Sequence, residues 1–186
     1  MKMNISFKPL CESDFPLMLK WLEAPHVKQW WDLDIVWTLE LVQRKYSSYA
    51  NGYKNLKLND QIIKKPIYAF IIFAGDVPIG YMQYYNSHDF PPEQSYNCSE
   101  FLEHCAGLDW YIGEVEFIGK GIASQIFLLF LEQFVFCKFD HVLVDPDSQN
   151  TKAIHIYEKI GFTVIKKTIN KNLLMIKTKN NCSRIS

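Results

Sequence analysis

Lysine and arginine are absent from Pro66 to Gly119, although the 186-residue chain carries 20 of them. Asp76, Asp89, Glu93, Glu100, Glu103, Asp109, Glu114 and Glu116 all fall in that stretch, so a cleft lined by it would concentrate a cationic ligand. The alternative is that these are solvated loop carboxylates. Over the whole chain 20 basic and 20 acidic residues cancel, which removes any general attraction to nucleic acid or an anionic membrane. The basic residues also form no aromatic-interleaved patch. No apolar run approaches the ~20 residues that span a bilayer. The opening Met1-Lys2-Met3-Asn4-Ile5-Ser6-Phe7 lacks the unbroken apolar segment of a secretory signal, which points to a cytoplasmic protein. Cys11, Cys98, Cys105, Cys137 and Cys182 are an odd, scattered set without a C-x-x-C pair, so free thiols are expected in place of a disulfide framework. His104-Cys105 with Cys98 matches no standard zinc spacing, and no metal is expected.

What is present, 48% hydrophobic and 22% charged residues, suits one globular domain over 1–179 with a frayed tail at 180–186. Alternation in Ile5-Ser6-Phe7-Lys8-Pro9-Leu10 predicts a strand. Ser13 or Asp14 caps a helix with Phe15, Met18, Leu19 and Leu22 at helical spacing. A second helix runs from Thr38 to Tyr49 with Leu39, Val42 and Tyr46 on one face, and ends at Asn51-Gly52. Ile67 to Phe73 and Val77 to Tyr85 form a hairpin about Gly75-Asp76. Residues 86–106 are a long polar stretch of the kind that serves as a lid or binding loop. Then follow a strand at Leu108–Ile112, a glycine turn at Gly119-Lys120-Gly121 and an apolar helix from Ile122 to Cys137. A buried strand at Val142–Val144, a helix from Asn150 to Ile160 and a two-stranded segment from Phe162 to Lys179 complete the chain. The order β-α-α-β-β-β-α-β-α-β-β predicts a mixed α/β (α+β) sheet with helices on both faces.

Two constellations carry chemistry. Gly119-Lys120-Gly121-Ile122-Ala123 lies between a strand and a helix, where small residues admit close backbone approach and a helix N-terminus offers unpaired N–H groups to a pyrophosphate. It is neither a G-x-G-x-x-G fingerprint nor a P-loop. The other runs from Asn150 through Ala153, Tyr157, Glu158 and Lys159 to Gly161-Phe162, with Asn150 as N-cap and Gly161 as helix stop. On its own, Tyr157 reads as a core aromatic with its hydroxyl at the rim.

A glycine turn followed about thirty residues later by N-x-x-A-x-x-x-Y-E-K-x-G-F resembles the two cofactor motifs of the GNAT N-acetyltransferases. A narrower resemblance, to the aminoglycoside 6′-N-acetyltransferases, covers nearly the whole chain. It rests on Leu17 to Leu22, His26 to Trp31, Pro78 to Tyr85, Gly107-Leu108-Asp109 and Asp145-Pro146. The resemblance implies a GNAT fold with a mixed, mostly antiparallel central sheet. It also implies acetyl-coenzyme A as donor, bound by Tyr111, Ile112, Ile118, Gly119, Lys120, Gly121, Ile122, Ala123 and Asn150. Asp109 and Tyr157 would be catalytic, and Trp31, Tyr46, Gln83, Tyr85, Asp89, Asp109 and Asp145 would line the pocket of a cationic amine, an aminoglycoside. The implied assembly is a monomer or homodimer. Departures are Ile118, where the family carries Gln or Arg, Trp110 and Tyr111 in place of smaller polar residues, and a poor match between Asp89 and Gly107.

The chemistry is coherent without the family. A primary amine has a pKa near ~10, is mostly protonated at neutral pH and cannot attack a thioester until it loses a proton. Asp109, ending a predicted strand in the acidic stretch, is the expected proton acceptor. A backbone N–H near Trp110 to Ile112 would stabilise the oxyanion, and Tyr157 would protonate the departing thiolate. Two other readings remain: acetylation of another small amine or hydroxylamine, such as a siderophore precursor, and a non-catalytic acyl-CoA-binding module. Retention of Asp109 and Tyr157 argues against the module.

Overall fold

The computed structural model describes residues 3–90, 103–168 and 171–180, in two compact units. One comprises Met1–Tyr85 with Leu108–Ile126, the other Asn86–Gly107 with Phe127–Ser186. Much of the long polar stretch (91–102), Cys98, Cys182 and the tail from 181 lie outside the described residues. Among those described, no helix is long and apolar enough to cross a membrane.

The first unit holds β1 (Ile5–Pro9), α1 (Phe15–Leu22), α2 (Pro25–Lys28), α3 (Leu39–Ala50), β2 (Tyr53–Leu58), β3 (Gln61–Ala74), and most of β4 (Val77–Asn86) and β5 (Cys105–Ile112). β3 pairs antiparallel with β1, β2 and β4. α1 packs on α3, and α3 on β2 and β3. Thr38 caps α3 by accepting the Leu41 N–H at 3.3 Å, while Val42, Tyr46 and Tyr49 are buried along one stripe. Burial of one such side chain stabilises by ~1.5–3 kcal/mol against ~1 kcal/mol for the cap, so tertiary packing holds this helix more than its own ends do. The shared core contains Phe15, Trp21, Trp37, Tyr46, Ile71, Tyr81 and Tyr111.

At the end of β5 the Gly113 and Glu114 N–H groups both donate to the Ile79 carbonyl, at 2.8 and 3.2 Å, which is a β-bulge. A Cβ on Gly113 would lie 2.2 Å from the Trp21 indole, so only glycine fits beneath that ring. Glu114 anchors the indole N–H at 2.8 Å and pairs with Lys20 at 2.6 Å. The Lys20 hydrogen bond, helped by Trp21, holds the Glu114 carboxyl below its ordinary range.

In the second unit β6 (His141–Val144) pairs in parallel with the first residues of β5 and antiparallel with β8 (Leu173–Thr178), which carries β7 (Thr163–Lys167) on its other side. α4 (Ala123–Phe130) crosses from the first unit into this one and continues as a π-helical turn, Leu131–Val135. α5 (Thr151–Lys159) opens with the Asn150 side chain accepting the Ala153 N–H at 3.2 Å. It closes as a Schellman motif, with Phe162 N–H on Tyr157 O and Gly161 N–H on Glu158 O, and with Gly161 at φ +92°. Cys105 is buried, and that burial pushes its thiol up to about 11. The thiols of Cys11, Cys105 and Cys137 are free.

The fold is the expected mixed, mostly antiparallel sheet with helices. Besides the π-helical turn within the expected Ile122–Cys137 helix, three features depart from the sequence reading. β2 and the first half of β3 form an additional hairpin that turns on Asn59 and Asp60, both at positive φ. Its strands are polar and largely exposed, so they carry no apolar run to mark them. α2 is a four-residue helix, too short for a periodic signal. β5 begins at Cys105, three residues before the expected Leu108.

Candidate active site

Asp109 stands on β5, half-buried, at the end of a hydrogen-bonded chain. Its Oδ2 accepts from Gln83 Nε2 at 2.7 Å, and Gln83 Oε1 accepts from the buried Tyr81 hydroxyl at 2.6 Å. The Tyr85 side chain also hydrogen-bonds Asp109. Tyr81, Gln83 and Tyr85 alternate along β4, so the period of two turns all three to one face of the strand. Burial lifts the Asp109 carboxyl above its ordinary range. The Gln83 and Tyr85 hydrogen bonds oppose that rise, with smaller attractions from Lys54 and Lys45.

Aromatic rings surround this chain. Trp31 stands edge-on to Tyr111 at 5.0 Å and to Tyr81 at 6.2 Å, and its indole N–H lies 3.4 Å from the Tyr46 hydroxyl. Burial pushes the Tyr46, Tyr49, Tyr81 and Tyr111 hydroxyls above the usual phenol range, so all four stay neutral at pH 7. Glu23 secures the connection that carries Trp31 and Asp32, accepting the Trp37 N–H at 2.7 Å and pairing with Lys28 at 2.9 Å.

The surroundings of Asp109 are not uniformly acidic. Lys45 on α3 pairs with Asp32 at 2.7 Å and lies over the Trp37 and Tyr46 rings, 5.1 and 5.3 Å from their centres. Lys54 on β2 is half-buried, and desolvation, then repulsion from Lys45, lowers its pKa against the pull of Asp109 and Asp32. Sequence reasoning missed both lysines because they precede the Lys- and Arg-free stretch and reach Asp109 only through the fold. Tyr81 was missed as well, although its spacing of two from Gln83 was a usable signal.

Beyond the bulge a 3-10 turn, Val115–Phe117, leads through the exposed Ile118 to Gly119 and Gly121 at φ +76° and +74°. Gly119, Lys120 and Gly121 are exposed, Ile122 is buried and Ala123 opens α4. The first N–H groups of α4 precede any i−4 carbonyl within the helix, and the first such bond made to a residue before it is Ile126 N–H on Ile122 O at 2.9 Å. A contiguous run of donors at a helix N-terminus suits a diphosphate. Tyr111 places its ring in the core, and the Ile112 carbonyl contacts His26 Nε2 at 3.2 Å.

The structure thus gathers Trp31, Tyr46, Gln83, Tyr85 and Asp109 in the first unit. Asp89, Asp145, Asn150 and Tyr157 belong to the second. Asp89 is half-buried, with its N–H on Asn86 O at 3.0 Å, and Asp145 is exposed just after β6. The Tyr157 ring is buried against Phe127 at 5.4 Å and Phe162 at 5.5 Å.

Comparison with known proteins agrees with this architecture. A family model described as an acetyltransferase (GNAT) domain matches residues 11–169. An uncharacterized protein from Bacillus halodurans superposes with a TM-score of 0.78 at 24% identity, over 96% of this chain and 86% of that one. Aminoglycoside acetyltransferase AAC(6')-Ib, in complex with coenzyme A and kanamycin, superposes with a TM-score of 0.73 at 22% identity over 95% of each chain. An aminoglycoside N(6')-acetyltransferase from Legionella pneumophila gives 0.65 at 23% identity, over 96% of this chain and 94% of that one. At these identities the likeness is one of fold. The family match, spanning most of the described fold, shows that the chain belongs to the GNAT acetyltransferases, whose acetyl donor is acetyl-CoA.

Proposed function

We propose that this acetyltransferase moves an acetyl group from acetyl-CoA to a primary amine, and that its acceptors are aminoglycosides acetylated at the 6′-amine. The observation that carries the reading is an ionisable, half-buried Asp109 oriented by Gln83 and Tyr85 inside an aromatic wall. Acetyl-CoA supplies an activated thioester. The glycine turn and the N-terminal N–H groups of α4, Gly119 to Ala123, suit its diphosphate, with Tyr111, Ile112, Ile118 and Asn150 as further donor-side residues. Asp109 draws in the ammonium, takes one proton directly or through a water and leaves a neutral amine able to attack. Trp31, Tyr46, Gln83 and Tyr85 shape the acceptor side. Roles for Asp89 and Asp145 as further carboxylates for a polycation, and for Tyr157 as the acid toward the thiolate, rest on the resemblance alone.

Lys54 favours a second acceptor class, a small amine that carries its own acidic group, because a cation beside Asp109 disfavours a polycation and attracts an anion, whereas Lys45 is already paired with Asp32. The two classes differ in how their rates respond to charge and salt. An aminoglycoside should lose kcat/KM as salt rises, in proportion to its several ammonium groups.

The donor half of the reading is tested at Gly121. Gly121→Ala and Gly121→Asp share the backbone cost of a side chain at φ +74°, about 1–2 kcal/mol, and neither Cβ meets a neighbour within 4 Å. Only aspartate adds a negative charge against the diphosphate. Calorimetry should therefore show acetyl-CoA binding at least ~10-fold weaker in Gly121→Asp than in Gly121→Ala. Equal affinities would remove the phosphate from this turn.

A further inference from the structure

The amide of Gln83 is chemically two-faced. Its NH₂ favours an ionised Asp109, while its oxygen, turned the same way, would oppose ionisation. The side chain is buried, and in the observed orientation the NH₂ faces Asp109 Oδ2 at 2.7 Å. What selects that orientation is the Tyr81 hydroxyl, which donates to Gln83 Oε1 at 2.6 Å. With the amide turned over, its NH₂ would donate to the Tyr81 oxygen and the buried hydroxyl hydrogen would lose the acceptor it has here, which favours the observed orientation. The Tyr81 ring itself is fixed between Tyr111 at 5.6 Å, Tyr46 at 5.7 Å and Trp31 at 6.2 Å.

We propose that Tyr81 is a positioning residue for the transfer reaction, acting through Gln83 to hold the Asp109 carboxylate in its proton-accepting form. The proposal deepens the preceding section and rests on its assignment of Asp109 as proton acceptor. Other groups also face the carboxylate: Lys45, Tyr46 and Tyr49 from α3, Lys54 from β2 and Tyr85 from β4, with Asp32 neutralising Lys45. The buried phenols there stay protonated, and the two lysines favour the charged carboxylate. Tyr81 acts differently from these, through its bond to the oxygen of the Gln83 amide.

The test is Tyr81→Phe, which keeps the ring and removes the hydroxyl, read by carbon-13 carboxyl NMR and by the pH profile of kcat/KM. Asp109→Asn identifies the Asp109 signal. Without its lock the amide samples both faces, so Asp109 should hold its proton to higher pH. The acid limb of kcat/KM should move up with it, leaving roughly tenfold less activity on the acid side and little change on the plateau. In a Gln83→Leu background, where no amide remains to orient, Tyr81→Phe should add no further shift. An Asp109 signal that titrates in Tyr81→Phe as in wild type overturns the proposal, as does a full additional shift in the Gln83→Leu background. A carboxyl shift with an unmoved kcat/KM profile would show that Tyr81 acts on Asp109 through Gln83, but would overturn Asp109 as the proton acceptor and with it the role of Tyr81 in the transfer.

Discussion

Replacing Asp109 with asparagine is expected to lower kcat by ~10²–10⁴-fold, the range for loss of a positioned general base. Asparagine keeps the shape of the side chain and an oxygen for Tyr85, but it can neither attract an ammonium nor accept its proton. KM for the amine should rise as well, because the charge that draws the ammonium is lost. In the wild type the acid limb of kcat/KM should lie above the ordinary carboxylate range, since burial raises Asp109 more than Gln83 and Tyr85 lower it. The same burial has a consequence for stability with a definite sign. A raised carboxyl pKa means that the fold prefers the protonated form. Stability linked to Asp109 is present below the unfolded pKa and lost as pH rises through the folded one. Asparagine does not titrate, so the melting temperature of Asp109→Asn relative to wild type should climb from acid to neutral pH. A difference independent of pH would contradict the burial account, whatever the kinetics show.

The other large effect is expected at Tyr157. Its ring is seated against Phe127 and Phe162, and phenylalanine preserves those contacts, so Tyr157→Phe should fold and melt much like the parent. On the proposed mechanism, removing the hydroxyl takes away the acid for the departing thiolate. That should reduce kcat by ~10²-fold with little change in either KM. The signature is a fall in kcat alone. A rise in KM with kcat preserved would make Tyr157 a binding or packing residue, and unchanged kinetics would leave it as a core aromatic of α5.

How much of this was legible beforehand depended on how local the determinants are. The two ends of α5 were readable because Asn150 and Gly161 act on backbone groups within five residues of themselves. The stripe of α3 was readable in part: Val42 and Tyr46 repeat at the helical period and are buried, whereas Leu39, expected on the same face, is exposed in the first turn. The β2–β3 hairpin was not. Its turn is Asn-Asp, without the glycine that marks such turns, Gln61 to Lys65 shows no alternation, and Leu58 and Ile62 are exposed. The π-helical turn after α4 also escaped notice, because Leu131 to Val135 continues the apolar pattern of an ordinary helix.

The candidate site shows the same division. Asp109, Gln83 and Tyr85 were named from the resemblance, and the structure joins them through direct hydrogen bonds. The electrostatic reading was less complete, because charge counted along the chain sees an acidic middle. Charge counted in space includes Lys45 and Lys54, which α3 and β2 bring to the same carboxylate. Lys45 is offset there by Asp32, so Lys54 is the cation that distinguishes an acidic amine from a polycation as acceptor.

The most direct test of the central claim is a coupled assay of thiol release from acetyl-CoA by the wild-type protein, with and without amine. The panel is tobramycin, amikacin and kanamycin beside small amines with and without an acidic group. The account predicts thiol release that requires an amine, is fastest with an aminoglycoside bearing a 6′-amine, and disappears in Asp109→Asn. Release confined to acidic amines would keep the transfer chemistry and replace the acceptor class. Acetyl-CoA binding without amine-dependent thiol release from any member of the panel would contradict the account.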